Sequence, residues 1–190
     1  MTDPIRITFD HADFGRKLNQ SLKRYPKAAA AGINRAARGT FTLSVRLIQQ
    51  DLGASTQKAI RSNLYLKAAT ADRPRAELVA RSAKKERIPI FQLNPRPKTV
   101  TRRRPVGGVR YGKRNTLIPS SFIARMKKSG HMGVFKRAGS KRLPIKELFG
   151  PSIALIFSRR KIQAQISDYL QTKLPQEIAR AFRFVDQAFY

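Results

Sequence analysis

The stretch PKAAAAGINRAARGTFTLSVRLIQQDLG, residues 26–53, decides how this chain folds. After the alanine run, Ile33, Ala37, Phe41, Val45, Ile48 and Leu52 recur three or four residues apart, which lays one apolar stripe along a helix. Pro26 suits a first turn, where its missing N–H costs nothing, and Gly53 suits the stop. Gly32 and Gly39 each weaken a helix by about 1 kcal/mol relative to alanine, so they either allow close packing or mark a kink.

Upstream, Ile5-Arg6-Ile7-Thr8-Phe9 alternates apolar and polar residues as a half-buried strand does, and a short helix is expected between it and Pro26. Downstream, a short helical stretch at 55–61 gives way to period two. Leu64, Leu66 and Ala68, then Ala76, Leu78 and Ala80, flank Asp72-Arg73-Pro74 and read as a β-hairpin with a longer turn. Residues 88–93 suggest a further strand, which Pro89 limits to an edge or an irregular start. Residues 94–115 hold Pro95, Pro97, Pro105, Gly107, Gly108 and Gly112, with eight Lys or Arg and no acid. Such a segment has too little apolar content to offset its ordering entropy, so a projecting basic loop is expected. Sheet character resumes at Leu117-Ile118, Phe122-Ile123 and 132–136.

The last 40 residues read as helical again, with Ile162, Ile166, Tyr169 and Leu170 on one stripe and Ile178, Phe182, Val185 and Phe189 on another. Pro175 either starts a second helix or kinks a single one. Strand, helices, a small antiparallel sheet with a projecting loop, then C-terminal helices make an α+β chain. One domain over 1–190 is expected, with 94–115 as a basic Pro/Gly-rich loop within it.

Composition agrees with a folded chain, since 41% hydrophobic residues against 27% charged is a globular balance. The charge is the extreme feature: 40 Lys and Arg against 11 Asp and Glu leave +29. Solubility needs a magnitude of only about 2 to 8. Such self-repulsion implies an anionic partner. Half of the cations, 20 of 40, lie at 81–146 with Glu86 as the one acid among them. A patch of this kind neutralises phosphates and releases counterions without reading sequence. Within it Arg96, Lys98, Arg102, Arg103, Arg104, Arg110, Lys113 and Arg114 are the candidate polyanion contacts. Tyr111, Phe122 and Phe135 are interleaved with cations, so base stacking is open for them, although core packing explains the two phenylalanines better.

Other chemistry finds little support. The segment Gly107-Gly108-Val109-Arg110-Tyr111-Gly112-Lys113-Arg114 comes within one residue of a phosphate-binding loop. Arg114, however, stands where a Ser or Thr would ligate magnesium, and no buried strand precedes the glycines. The histidines, His11 and His131, have no acidic or histidine companion at metal-ligand spacing. Asp10 and Asp13 are explained by helix capping near Phe14, and Glu147 by an internal salt bridge. There is no cysteine, and no apolar run approaches the roughly 20 residues of a membrane span. The N-terminus lacks the apolar stretch of a signal peptide. No catalytic set, cofactor or metal site is expected.

Ile33-Asn34-Arg35-Ala36, Ile118-Pro119-Ser120-Ser121-Phe122-Ile123, Val134-Phe135-Lys136-Arg137, Arg142-Leu143-Pro144-Ile145, Gly150-Pro151-Ser152-Ile153 and Leu174-Pro175 occur in this order around a basic middle. In order and spacing they resemble the minor tail protein Z family of long-tailed bacteriophages, also described as tail completion proteins. Residues 96–115 are the part least like the family. The resemblance implies a structural virion protein at the head-proximal end of the tail, made in the host cytoplasm, needed for tail assembly and placement of the DNA end. It implies other tail proteins as partners (terminator, tube and tape measure), the DNA backbone, and further copies of itself. A ribosome- or RNA-associated basic protein would explain the charge equally well. A nuclease would need a carboxylate cluster that the acid-poor middle lacks.

Overall fold

The helix expected from Pro26 forms over Pro26–Leu52 (α1) in the computed structural model, which describes residues 5–9, 25–55, 57–81, 87–100, 105 and 107–187. Its stop is Gly53, at φ 66°, whose amide donates to the Gln49 carbonyl. That left-handed conformation favours glycine. Along the buried stripe Thr40 and Ser44 are fully enclosed, yet neither strands a hydroxyl. Thr40 donates to the Ala36 carbonyl at 2.9 Å and Ser44 to the Thr40 carbonyl at 2.8 Å.

The second long element, Arg160–Gln187 (α4), runs antiparallel against α1. Pro175 lies inside this helix, which remains a single element. The close fit explains both glycines. A Cβ at Gly32 would stand 2.8 Å from the Ile178 Cα and 2.9 Å from the Glu177 carbonyl oxygen, and one at Gly39 would press on the Tyr169 hydroxyl. Both are therefore contact residues. Ile33, Val45, Ile48, Ile166 and Ile178 are buried between the helices and the rest of the core, together with Phe157 from the short helix Ile153–Phe157 (α3). Ser152 caps α3, its hydroxyl accepting from the Leu155 amide at 3.2 Å.

Among the described residues the strands form three small antiparallel sheets. After the short helix Lys58–Arg61 (α2), Leu64–Lys67 (β2) and Ala76–Ala80 (β3) pair as the expected hairpin, with Leu66 opposite Leu78. Ile5–Phe9 (β1) adds to the other edge of β3. Ala76, Leu78 and Ala80 turn to the core, and Glu77 is held by Arg73 at 2.7 Å and Lys67 at 3.6 Å. Asn34 ties this sheet to α1, since its side chain donates to the Ala69 carbonyl at 2.9 Å and accepts the Ala69 amide at 2.7 Å.

Residues 88–93 do not form the expected strand. Ile90 donates to the Leu148 carbonyl and Pro89 bridges Phe149, but the chain then tightens into a 3-10 turn at Ile90–Gln92. Proline offers no amide to continue a ladder. The second sheet is the ribbon Gly108–Tyr111 (β4) and Thr116–Pro119 (β5); the third orders Ser121–Arg125 (β6), Met132–Arg137 (β7) and Ile145–Glu147 (β8) as β6-β7-β8. Ile90, Val109, Ile123 and Val134 make a smaller core beneath them. The helix expected between Phe9 and Pro26, and Phe189, lie outside the described residues.

The glycine contacts set two expectations. Gly32→Ala gains about 1 kcal/mol of helix propensity yet loses about 1–3 kcal/mol net, because its methyl meets backbone that cannot rotate away. Gly39→Ala, meeting the far end of a side chain, costs less. Urea unfolding of both variants measures the order.

Candidate polyanion interface

The described residues of the basic segment, 94–100, 105 and 107–115, are anchored at several points. Arg96 and Arg110 form an antiparallel bridge, with the Arg96 amide donating to the Arg110 carbonyl at 2.7 Å and the reverse bond at 3.0 Å. Alternation along β4 sends Val109 into the small core, fully buried, and Arg110 outward. An apolar contribution from Val109 and Tyr111 thus orders a stretch whose composition suggested a loop. Gly107 and Gly112 serve as turn residues.

Arg96 and Arg110 are both exposed and stand directly opposite each other. Among the described residues neither has an acidic partner. Like charges in that position are mutually destabilising. Lys98 is exposed two residues beyond Arg96. Arg102, Arg103 and Arg104 lie outside the described residues.

Lys113 and Arg114 occupy the β4–β5 turn, which rests on the C-terminal end of α1. The Gly112 amide donates to the Leu93 carbonyl at 2.7 Å, and a Cβ on Gly53 would come within 2.5 Å of the Lys113 amide nitrogen. Both cations, with Asp51, Thr116, Pro151 and Arg159, border a cleft of about 140 Å³. Asp51 pairs with Arg159 there. The partial negative charge of a helix C-terminus favours cations in this place. So Lys113 and Arg114 have part of their charge answered within the fold, unlike Arg96 and Arg110.

The near-match to a phosphate-binding loop is explained away by its hydrogen bonds. The amides of Gly108, Val109, Arg110 and Gly112 donate to the Pro105 carbonyl, the Ser121 hydroxyl, the Arg96 carbonyl and the Leu93 carbonyl. With these donors occupied, no anion cradle forms. Ser121 is the joint between two sheets: 1% exposed, its hydroxyl accepts from Val109 at 2.9 Å and donates to the Ile118 carbonyl at 2.7 Å. Ser120, at φ 60°, turns the chain from β5 into β6.

The aromatic residues pack. Phe135 is buried, its ring 6.4 Å from that of half-buried Phe122, and Tyr111 sits between the two cores. The Glu147 carboxylate lies 2.8 Å from His131 Nε2, which fits the salt-bridge role expected for it. That companion of His131 escaped sequence reading because β8 was not recognised. For the same reason a second set of cations was missed: β7 and β8 place Lys136 opposite Lys146. Asp10, His11 and Asp13 lie outside the described residues. Among the described residues no group of three or more His, Cys, Asp or Glu could hold a metal ion, and no helix is long and apolar enough to cross a membrane.

A small α+β chain with a strongly cationic surface fits the class of phage structural proteins. The chain belongs to the prophage minor tail protein Z (GPZ) family, whose model matches residues 14–187. Membership makes it a structural component of a bacteriophage tail, and so of the virion. No curated protein and no solved structure matches the chain.

Two substitutions probe this surface. Ser121→Ala leaves the buried Val109 amide without an acceptor and is expected to cost about 1–3 kcal/mol in thermal or urea unfolding. Arg110→Glu converts opposed like charges into an opposite pair and is expected to stabilise by about 0.2–1 kcal/mol at low salt. That gain should fade in unfolding curves taken at high salt.

Proposed function

We propose that this tail protein is a completion protein at the head-proximal end, where its cations face the backbone of the DNA end. The observation that carries the reading is the Arg96–Arg110 bridge, a like-charge pair fixed by backbone hydrogen bonds on an exposed ribbon, with no acid beside it among the described residues. A fold tolerates such a pair where an outside anion relieves it. Family membership and the formal charge of +29 point the same way.

A conduit for a genome needs attraction without base readout, and phosphate contacts provide that. Lys98, Lys113, Arg114 and the tract Arg102-Arg103-Arg104 extend the surface. Copies of so cationic a chain repel one another. They assemble as oligomers in the tail with DNA or acidic neighbours present, the terminator, tube and tape measure proteins being the partners at that end.

Glutamine at Arg96, Lys98, Arg102, Arg103, Arg104, Arg110, Lys113 and Arg114 should preserve the fold and flatten the dependence of DNA affinity on salt, by about 0.9 in log–log slope per lost phosphate contact. Phage carrying the variant should build tails that fail to yield infectious particles. An unchanged slope in the binding titration would move the DNA-facing surface elsewhere.

A further inference from the structure

The β7–β8 hairpin carries Lys136, Arg137, Lys141, Arg142 and Lys146 within residues 136–146, with no acid among them. Its base is fixed by the His131–Glu147 contact at 2.8 Å and by the Leu148 amide donating to Val134 at 2.8 Å. Higher up, Lys136 stands in register with Lys146, and the Ala138 amide closes the loop on the Pro144 carbonyl at 3.0 Å. Every residue at 138–144 is exposed, and a Cβ on Gly139 would meet nothing within 4 Å. At the end of this arm Leu143 is 67% exposed between Arg142 and Pro144.

Two features of the arm point outward to a ligand. A lysine pair in register is relieved by an anion lying across it. An aliphatic side chain flanked by an arginine and a proline at a projecting tip gains by entering an apolar gap. Duplex DNA offers both within one groove width: phosphates on either side of the minor groove, and base steps between them that accept an apolar wedge. The arm has no Asn, Gln, Asp or Glu, so any contact it makes with DNA falls to arginine and lysine, the residue types that hold phosphates.

We propose that the β7–β8 hairpin is a DNA-gripping arm. Lys136, Lys141, Arg142 and Lys146 hold phosphates flanking the minor groove, and Leu143 wedges at a base step and bends the duplex. The proposal rests on the preceding reading only in taking DNA as the partner; its residues lie outside 96–114.

The full chain is titrated, at several salt concentrations, into a duplex of about 30 base pairs labelled at both ends, and bending is read by energy transfer. Lys141→Gln with Arg142→Gln is expected to lower the log–log salt slope by about 2, from roughly 0.9 per phosphate contact. Leu143→Ala is expected to keep the slope and lose the bend. These positions are exposed, so an unchanged melting temperature verifies the fold. If the parent chain binds and both variants match it in slope and bend, the arm is overturned while the 96–114 surface stands. Absence of binding by the parent chain overturns both. Variants that bind and bend DNA normally but block tail assembly assign the hairpin to a protein partner, and overturn the proposal as well.

Discussion

The approach of Gly32 to the backbone of Ile178 is the constraint from which the rest of the structure hangs. Two helices this close need small residues beside the crossing, as Ala29 and Ala36 are, and further along α1 the buried Thr40 and Ser44 satisfy their hydroxyls on carbonyls of the same helix. With α1 fixed against α4, everything attached to α1 inherits that position. Asn34 holds the β2–β3 sheet through its paired bonds to Ala69, and Gly53 seats the β4–β5 turn. The large apolar residues fill what remains.

Charge is organised by the same economy. Asp51, Glu77 and Glu147 are each engaged inside the fold, by Arg159, by Arg73 with Lys67, and by His131. Their places are at joints: the end of α1, the start of β3 and the end of β8. No acid lies at 87–146, so the ribbon and the β7–β8 hairpin display cations beside cations. Cations also lie on the helices, as Arg35, Arg38, Arg160 and Lys161 do, but there acids such as Asp51 and Asp168 share the element.

Much of this was legible in the sequence because it rests on local periodicity. The stripe of α1, the stop at Gly53 and the β2–β3 hairpin follow from spacing alone, and Gly32 already announced either a contact or a kink. What escaped was set by tertiary contact or by brevity. β8 is three residues long, between Pro144 and Leu148, too short for an alternation to show. β4 was hidden among glycines and prolines, since only Val109 and Tyr111 signal its inner face. The docking of Lys113 on Gly53 joins segments far apart in the chain, and no pattern in either foretells it. At the candidate interface the residue types were readable and their pairing was not: eight cations could be named, but the opposition of Arg96 to Arg110 requires a bridge only the fold reveals.

The seat of the β4–β5 turn has a mechanical consequence. Gly53 meets Lys113 backbone to backbone, and Ser121 pins the other end of the ribbon to its neighbour through two hydrogen bonds. Backbone contacts have no rotamers in which to yield, so a tug on the arginines of the ribbon is not absorbed locally. It passes to the C-terminal end of α1, on which the turn is seated. The ribbon behaves as a handle bolted to a beam.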